Sequence, residues 1–192
     1  MKRLLFCLAL IGLVQADPAH DYANITNKKK MQSFHYPLAL YSPQLEEQSE
    51  VGGPKNLPVL ALYFFRHERS QEEHKAFAAA LADHKHGAGS EFPYAVLELG
   101  ITNPESLSTK SIQTFNVGRC LNPASFNLTG AMLNDPTQKS QWKIELGDLS
   151  GELKDGGSLQ VDLSFEHIAS RYQAEFAGTV PVMLVPASRY QP

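Results

Sequence analysis

The chain has 192 residues, 43% of them hydrophobic, with 17 Lys and Arg against 20 Asp and Glu and a formal net charge of −3. That apolar content sustains a buried core and excludes bulk disorder, and the length fits one domain. The acidic balance excludes non-specific nucleic-acid binding, which draws on clustered basic side chains; only Lys28, Lys29 and Lys30 cluster, and they read as a solvated tail.

Lys2 and Arg3 precede the apolar run LLFCLALIGLV, and Val14-Gln15-Ala16 places small residues where a signal peptidase cuts. Residues 1–16 therefore read as an export signal cleaved between Ala16 and Asp17. The apolar run is too short for a bilayer-spanning helix, which takes about 20 residues. The mature chain is expected in the periplasm or outside the cell, with no membrane span. Of the two cysteines, Cys7 leaves with the signal and Cys120 stays, which leaves no internal disulfide. Cys120 reads first as a small buried hydrophobe, with an intermolecular disulfide or a nucleophilic role as alternatives.

Residues 17–33 are polar without a sustained period and read as a flexible lead-in to a single globular domain over 34–192. Phe34, Tyr36, Leu38 and Leu40 alternate in a first strand over 34–42, which Pro37 assigns to an edge. Residues 43–56, with Pro43, Gly52, Gly53 and Pro54, form a loop. Val59 to Phe65 are apolar without alternation, as in a strand covered on both faces. Ser70 and Glu73 make a capping box, and Phe77, Ala80, Leu81 and His84 share one stripe, so an amphipathic helix is expected at about 70–86. A strand over 91–101 follows. The order is that of a β-α-β unit, with a right-handed crossover if its strands are parallel. Asn103-Pro104-Glu105 has the composition of a helix start, giving a short helix to about 114.

The mixed part thus covers 34–114, and 115–192 is mainly β. There SFNLTGAML, QWKIELGDLSGEL, GSLQVDLSFE and RYQAEFAGTVPVMLV all alternate, as half-buried antiparallel strands do. Lys154-Asp155-Gly156-Gly157 supplies a hairpin turn. The expected class is α+β, dominated by an antiparallel sheet, with one clear helix.

Four of the seven histidines lie in HERSQEEHKAFAAALADHKHG, residues 67–87. His74 and His84, ten residues apart on one helix, are separated by about 15 Å and cannot share an ion. Gln71 occupies the second histidine position of H-E-x-x-H. His84 and His86 remain as a candidate metal pair, although a helix C-terminus favours cationic side chains without any metal. Arg66 to Arg69 offer no C-x-x-C pair for thiol redox chemistry. Ser150 is displaced by one place from a G-x-S-x-G elbow. No Gly-rich phosphate loop is present and no cofactor is expected. Asn24-Ile25-Thr26 and Asn127-Leu128-Thr129 match the glycosylation acceptor pattern, which matters only in a eukaryotic source.

With no standard catalytic template, the expected function is that of an exported, non-catalytic binding or accessory protein acting through a sheet face or an edge strand. Its partner is an unidentified protein or small ligand, and a homodimer is an open alternative. In the last strand Gln173 and Glu175 alternate with Tyr172 and Phe176, and Pro181 lacks the N–H of a central strand, so 171–185 is expected at an edge able to accept a partner strand. Tyr172, Gln173, Glu175 and Phe176 are the candidate contacts. An envelope metal-binding protein using His84 and His86, or an enzyme with Cys120 as nucleophile, is the alternative.

Overall fold

The computed structural model describes residues 21–43, 57–82, 93–121, 124–132 and 140–185. The Ala16–Asp17 junction, most of the 43–56 loop, and His84 and His86 lie outside them. The strands are β1 (Tyr22–Asn27), β2 (Lys30–Phe34), β3 (Tyr36–Ser42), β4 (Val59–Phe65), β5 (Tyr94–Ile101), β6 (Ile112–Leu121), β7 (Ala124–Met132), β8 (Trp142–Gly151), β9 (Ser158–His167) and β10 (Tyr172–Leu184); the helix α1 spans Gln71–Ala82. All ten strands belong to one curled sheet. Every pairing is antiparallel except that of β3 with the end of β10, so the sheet is mixed. The chain is sheet-dominated with one helix, and the α+β class holds in that coarse sense.

The sheet folds over itself because β10 has different neighbours along its length. Its first half lies between β1 and β9, in a layer of order β2-β1-β10-β9-β8, called here layer A. Its end pairs with β3 through Val182↔Ala39 to Leu184↔Tyr41 and opens layer B, of order β10-β3-β4-β5-β6-β7. Between 178 and 181 the side left by β1 and not yet taken by β3 is open. There Asp21, only 4% exposed, accepts the Thr179 N–H at 2.7 Å. Gly178 adopts φ +121°, and a Cβ on it would overlap the Asp21 carboxylate. Backbone N–H groups alternate sides along a strand, so the nitrogen of Pro181 faces the same open side as that of Thr179. The proline therefore forfeits no ladder bond. This corrects the expectation of an edge strand at 171–185: β10 is central, and Pro181 stands where its neighbours change.

The layers enclose the main core. Phe115 of β6 stacks on Phe165 of β9 with centroids 4.6 Å apart and meets Trp142 of β8 edge-on at 5.0 Å, while Phe64 of β4 meets Phe176 of β10 at 5.8 Å. Leu60, Leu62 and Phe64 of β4 face this core, and Ala61, Tyr63 and Phe65 face the other side of layer B. The unbroken apolar run of β4 is thus explained by cover on both faces. On that second side Phe77 of α1 meets Tyr63, Phe65 and Tyr94 edge-on at 4.9, 5.0 and 5.5 Å. The capping box is formed: Ser70 N–H donates to Glu73 Oε2 at 2.8 Å, and Glu73 N–H to Ser70 Oγ at 3.2 Å. Of the expected 70–86 helix, residues 83–86 lie outside the described range.

Four further expectations are corrected. Residues 22–34 are not a flexible lead-in but the β1–β2 hairpin, turned by Lys28 and Lys29 at φ 46° and 77°. The domain start at 34 would have cut through β2. The expected β-α-β unit is not formed by β4, α1 and β5, because β4 and β5 are antiparallel neighbours. The helix expected after Asn103 is two 3-10 turns, Pro104–Ser106 and Thr109–Ser111, with no side-chain cap from Asn103, and β6 begins at Ile112. The strand around Pro37 is not an edge strand as a whole: β3 pairs with β4 from Tyr36 to Ser42 and with β10 at Ala39 to Tyr41, and only the stretch before Ala39, where Pro37 stands, is paired on one side alone. The Lys154–Gly157 turn is confirmed, with Gly157 N–H donating to Lys154 C=O at 2.9 Å and Gly156 at φ 72°.

Asp21→Ala leaves the part-buried Thr179 N–H without this acceptor, a cost of about 1 kcal/mol. Urea unfolding should show a lower midpoint with an unchanged slope; an unchanged midpoint would show that the gap needs no plug.

Candidate functional site

Layer B is covered by core on one side and, over β4 and β5, by α1 on the other. Among the described residues layer A is covered on one side only, and its strands alternate with a polar outer face. Cross-strand register sorts that face into rows. One row runs Ser33, Asn24, Glu175, Ser164, Glu145 across β2, β1, β10, β9 and β8; the next runs Met31, Thr26, Gln173, Glu166, Lys143. Beyond the bulge at Gly147, Asp148 lies opposite Asp162. Lys143, Glu145, Ser164, Glu166, Gln173 and Glu175 line a shallow hollow of about 120 Å³. That is below the roughly 300–1,000 Å³ of a small-molecule pocket.

Lys143 Nζ and Glu145 Oε1 pair at 2.8 Å, both well exposed. Their hydrogen bond and mutual attraction push the lysine up and the glutamate down from their ordinary values. An exposed pair adds little to stability, which leaves both groups able to exchange partners. Five carboxylates, Glu145, Asp148, Asp162, Glu166 and Glu175, share the outer face of β8, β9 and β10 with Lys143, and of these Glu145 and Glu166 act on its ammonium. Among the described residues no group of three His, Cys, Asp or Glu side chains could hold a metal ion.

The four expected contacts of β10 divide by parity. Gln173 and Glu175 are exposed on the outer face, whereas Tyr172 and Phe176, at 1% and 0% exposure, are core residues. The neighbours that complete the face, Lys143, Glu145 and Glu166, were not singled out from the sequence. They stand on the polar parity of QWKIEL and LSFEH, so their direction was readable. Their alignment with Gln173 and Glu175 depends on the order of the strands, which was not. Cys120, 7% exposed, pairs in register with Tyr94. At the far rim of the core Arg119 of β6 points inward and its guanidinium donates to Gln32 of β2.

No family model matches the chain, and neither a curated protein nor a solved structure does. No helix among the described residues is long and apolar enough to cross a membrane.

Burial of Cys120 predicts that native protein is alkylated slowly near neutral pH and quickly in urea; rapid labelling of native protein would restore the thiol as a candidate nucleophile. Burial also pushes Tyr94 up to about 12, with Cys120 and Glu98 adding to the rise. It pushes Tyr172 up to about 12 against the opposing Arg119. Both phenols keep their proton in the folded state above the ordinary value of 10.0. Their contribution to stability is complete below pH 10 and is lost as pH rises toward 12. Spectroscopic titration should show these two tyrosines ionising last, together with unfolding; early ionisation of all tyrosines in folded protein would contradict their burial.

Proposed function

We propose that the chain is an exported, non-catalytic binding or accessory protein that works through the outer face of layer A. The single observation behind this reading is the run of adjacent polar rows in which Gln173 and Glu175 meet Glu166, Glu145 and Lys143 across three paired strands. A merely solvated sheet face would also be polar. It would not need Asp148 directly opposite Asp162, since like charges in a cross-strand pair oppose sheet pairing. An excess of carboxylates at matched spacing suits a partner that presents cationic groups, and the shallow hollow suits a macromolecular surface rather than a small ligand.

Acting through a sheet edge is the weaker form of the proposal. β10 is not available for it, and the strands paired on one side only are guarded: β2 is five residues long and begins at Lys30 beside Lys28 and Lys29, and the pairings of β7 and β8 are each interrupted by a register shift, with Lys143 on β8. Short length and lysines are the usual guards against strand addition. The export signal enters the proposal as the reason to look for the partner in the envelope or the culture medium.

Capture from envelope extract or culture supernatant tests the reading when wild type is compared with a Glu166→Lys/Glu175→Lys variant. These positions are on the solvent side, so the variant is expected to keep its folded circular dichroism. A partner retained by wild type and lost by the variant, with wild-type retention falling at high salt, supports the face. Equal retention by both proteins removes it from consideration.

A further inference from the structure

We propose that α1 is an acid-released cover: when His74 takes up a proton, the helix leaves layer B and uncovers the aromatic patch of Tyr63, Phe65 and Tyr94. The geometry around the ring carries this. His74 lies on the side of α1 that meets the sheet, three residues before Phe77, and its imidazole stacks on Phe65 with centroids 5.6 Å apart and planes 28° apart. Its Nε2 is buried and has no hydrogen-bond partner. In the neutral ring Nε2 can be the nitrogen without hydrogen, and its burial then leaves only a lone pair unmet. In the imidazolium both nitrogens carry hydrogen. Nε2 becomes a charged donor with no acceptor in reach, a much costlier state to bury. The face of Phe65 offers a cation–π contact that offsets part of this cost without supplying an acceptor.

Among the described residues the charged groups acting on the ring are Glu73 and Arg69. β4 presents Phe65, and β5 presents Tyr94, which stays neutral to about pH 12. Burial is the largest influence and holds His74 below its ordinary 6.5, with Glu73 opposing and Arg69 assisting. Since the closed state has the lower pKa, His74 supports closure fully above about pH 6.5 and withdraws that support as pH falls through the closed-state value. The capping carboxylate of Glu73 is held below its ordinary 4.5 by the Ser70 N–H and Arg69, so it stays ionised at pH 5 and is not the trigger. Among the described residues of the helix Phe77 is the one whose side chain is fully buried, with Ala78 and Leu81 packed beside it. The chain entering α1 is fixed by the Arg66 N–H bond to Pro93 C=O at 3.1 Å, which marks the hinge side.

Hydrogen exchange of the full mature chain at pH 7.5 and pH 5.0, with rates corrected for the intrinsic effect of pH, tests the proposal. Expected is faster opening of α1 at pH 5.0, by up to about tenfold for each unit separating the open and closed pKa values, with β4 and β5 unchanged. His74→Phe should remove the dependence on pH. Equal protection of α1 at the two pH values, or the same acid response in H74F, overturns the proposal. Should H74F fail to fold, NMR titration of the wild-type ring decides: a His74 pKa at or above 6.5 overturns the cover, and a lower one coinciding with exchange of the Phe77 amide sustains it.

Discussion

The fold depends on β10 keeping continuous pairing on one side while exchanging neighbours on the other. Of its 13 residues, Tyr172 to Pro181 pair continuously with β9, and across the strand β1 gives way to β3 with a reversal of direction. A gap in a buried ladder ordinarily exposes an unmet N–H. Here Asp21 fills one position with a carboxylate oxygen, and Pro181 has no N–H to satisfy at the next. Gly178 provides the backbone conformation and the space that bring Asp21 against the strand. Because the two layers share this strand, their inner faces are held together by covalent connection as well as by packing.

The layers differ in the number of faces they bury, and this decides where a functional surface can lie. β4 and β5 sit between the main core and α1, so their sequences are close to uniformly apolar and have little polar surface to offer. β8, β9 and the first half of β10 bury one face and leave the other free to be chosen for reasons other than packing. The carboxylate rows are found there. Asp148 opposite Asp162 is tolerated where solvent screens the pair, and the same arrangement on the inner face would abolish the core.

Where local physics decides, the sequence was readable. The Ser70–Glu73 capping box, the apolar run of β4, the Asp155–Gly156–Gly157 turn and the four alternating strands of the second half all stand where residue pattern puts them. The failures came from long-range context. Lys28 and Lys29 turn a hairpin at positive φ without the Gly or Asn that announces such turns, and Ala23 and Ile25 are a faint apolar signal. In β6 a bulge between Ile112 and Thr114 leaves Ile112 and Phe115, three residues apart, both facing the core, and Arg119 faces inward, so the alternation breaks twice within ten residues. Pro181 was read by a rule that holds for strands with the same two neighbours throughout. At the candidate site, Gln173 and Glu175 were visible as the polar parity of one strand, and their companions were hidden in the pairing order.

Among the described residues no disulfide joins the layers, which are clasped by packing. Phe115 with Phe165, Phe115 with Trp142, and Phe64 with Phe176 are three aromatic pairs that reach from one layer to the other. At about 0.5–1.5 kcal/mol each beyond the area they bury, together they match the roughly 2–4 kcal/mol of a typical disulfide. They differ from a disulfide in one respect: an aromatic clasp stabilises the folded state through contacts, not by restricting the unfolded chain, and it works only while water is excluded from between the layers. The inward-facing Arg119, whose Nη1 donates to Gln32 from the opposite layer, marks the rim where that exclusion ends. A guanidinium can bury its stem against the core and keep its head at the rim, so β6 closes the apolar interior with a polar bond between the layers.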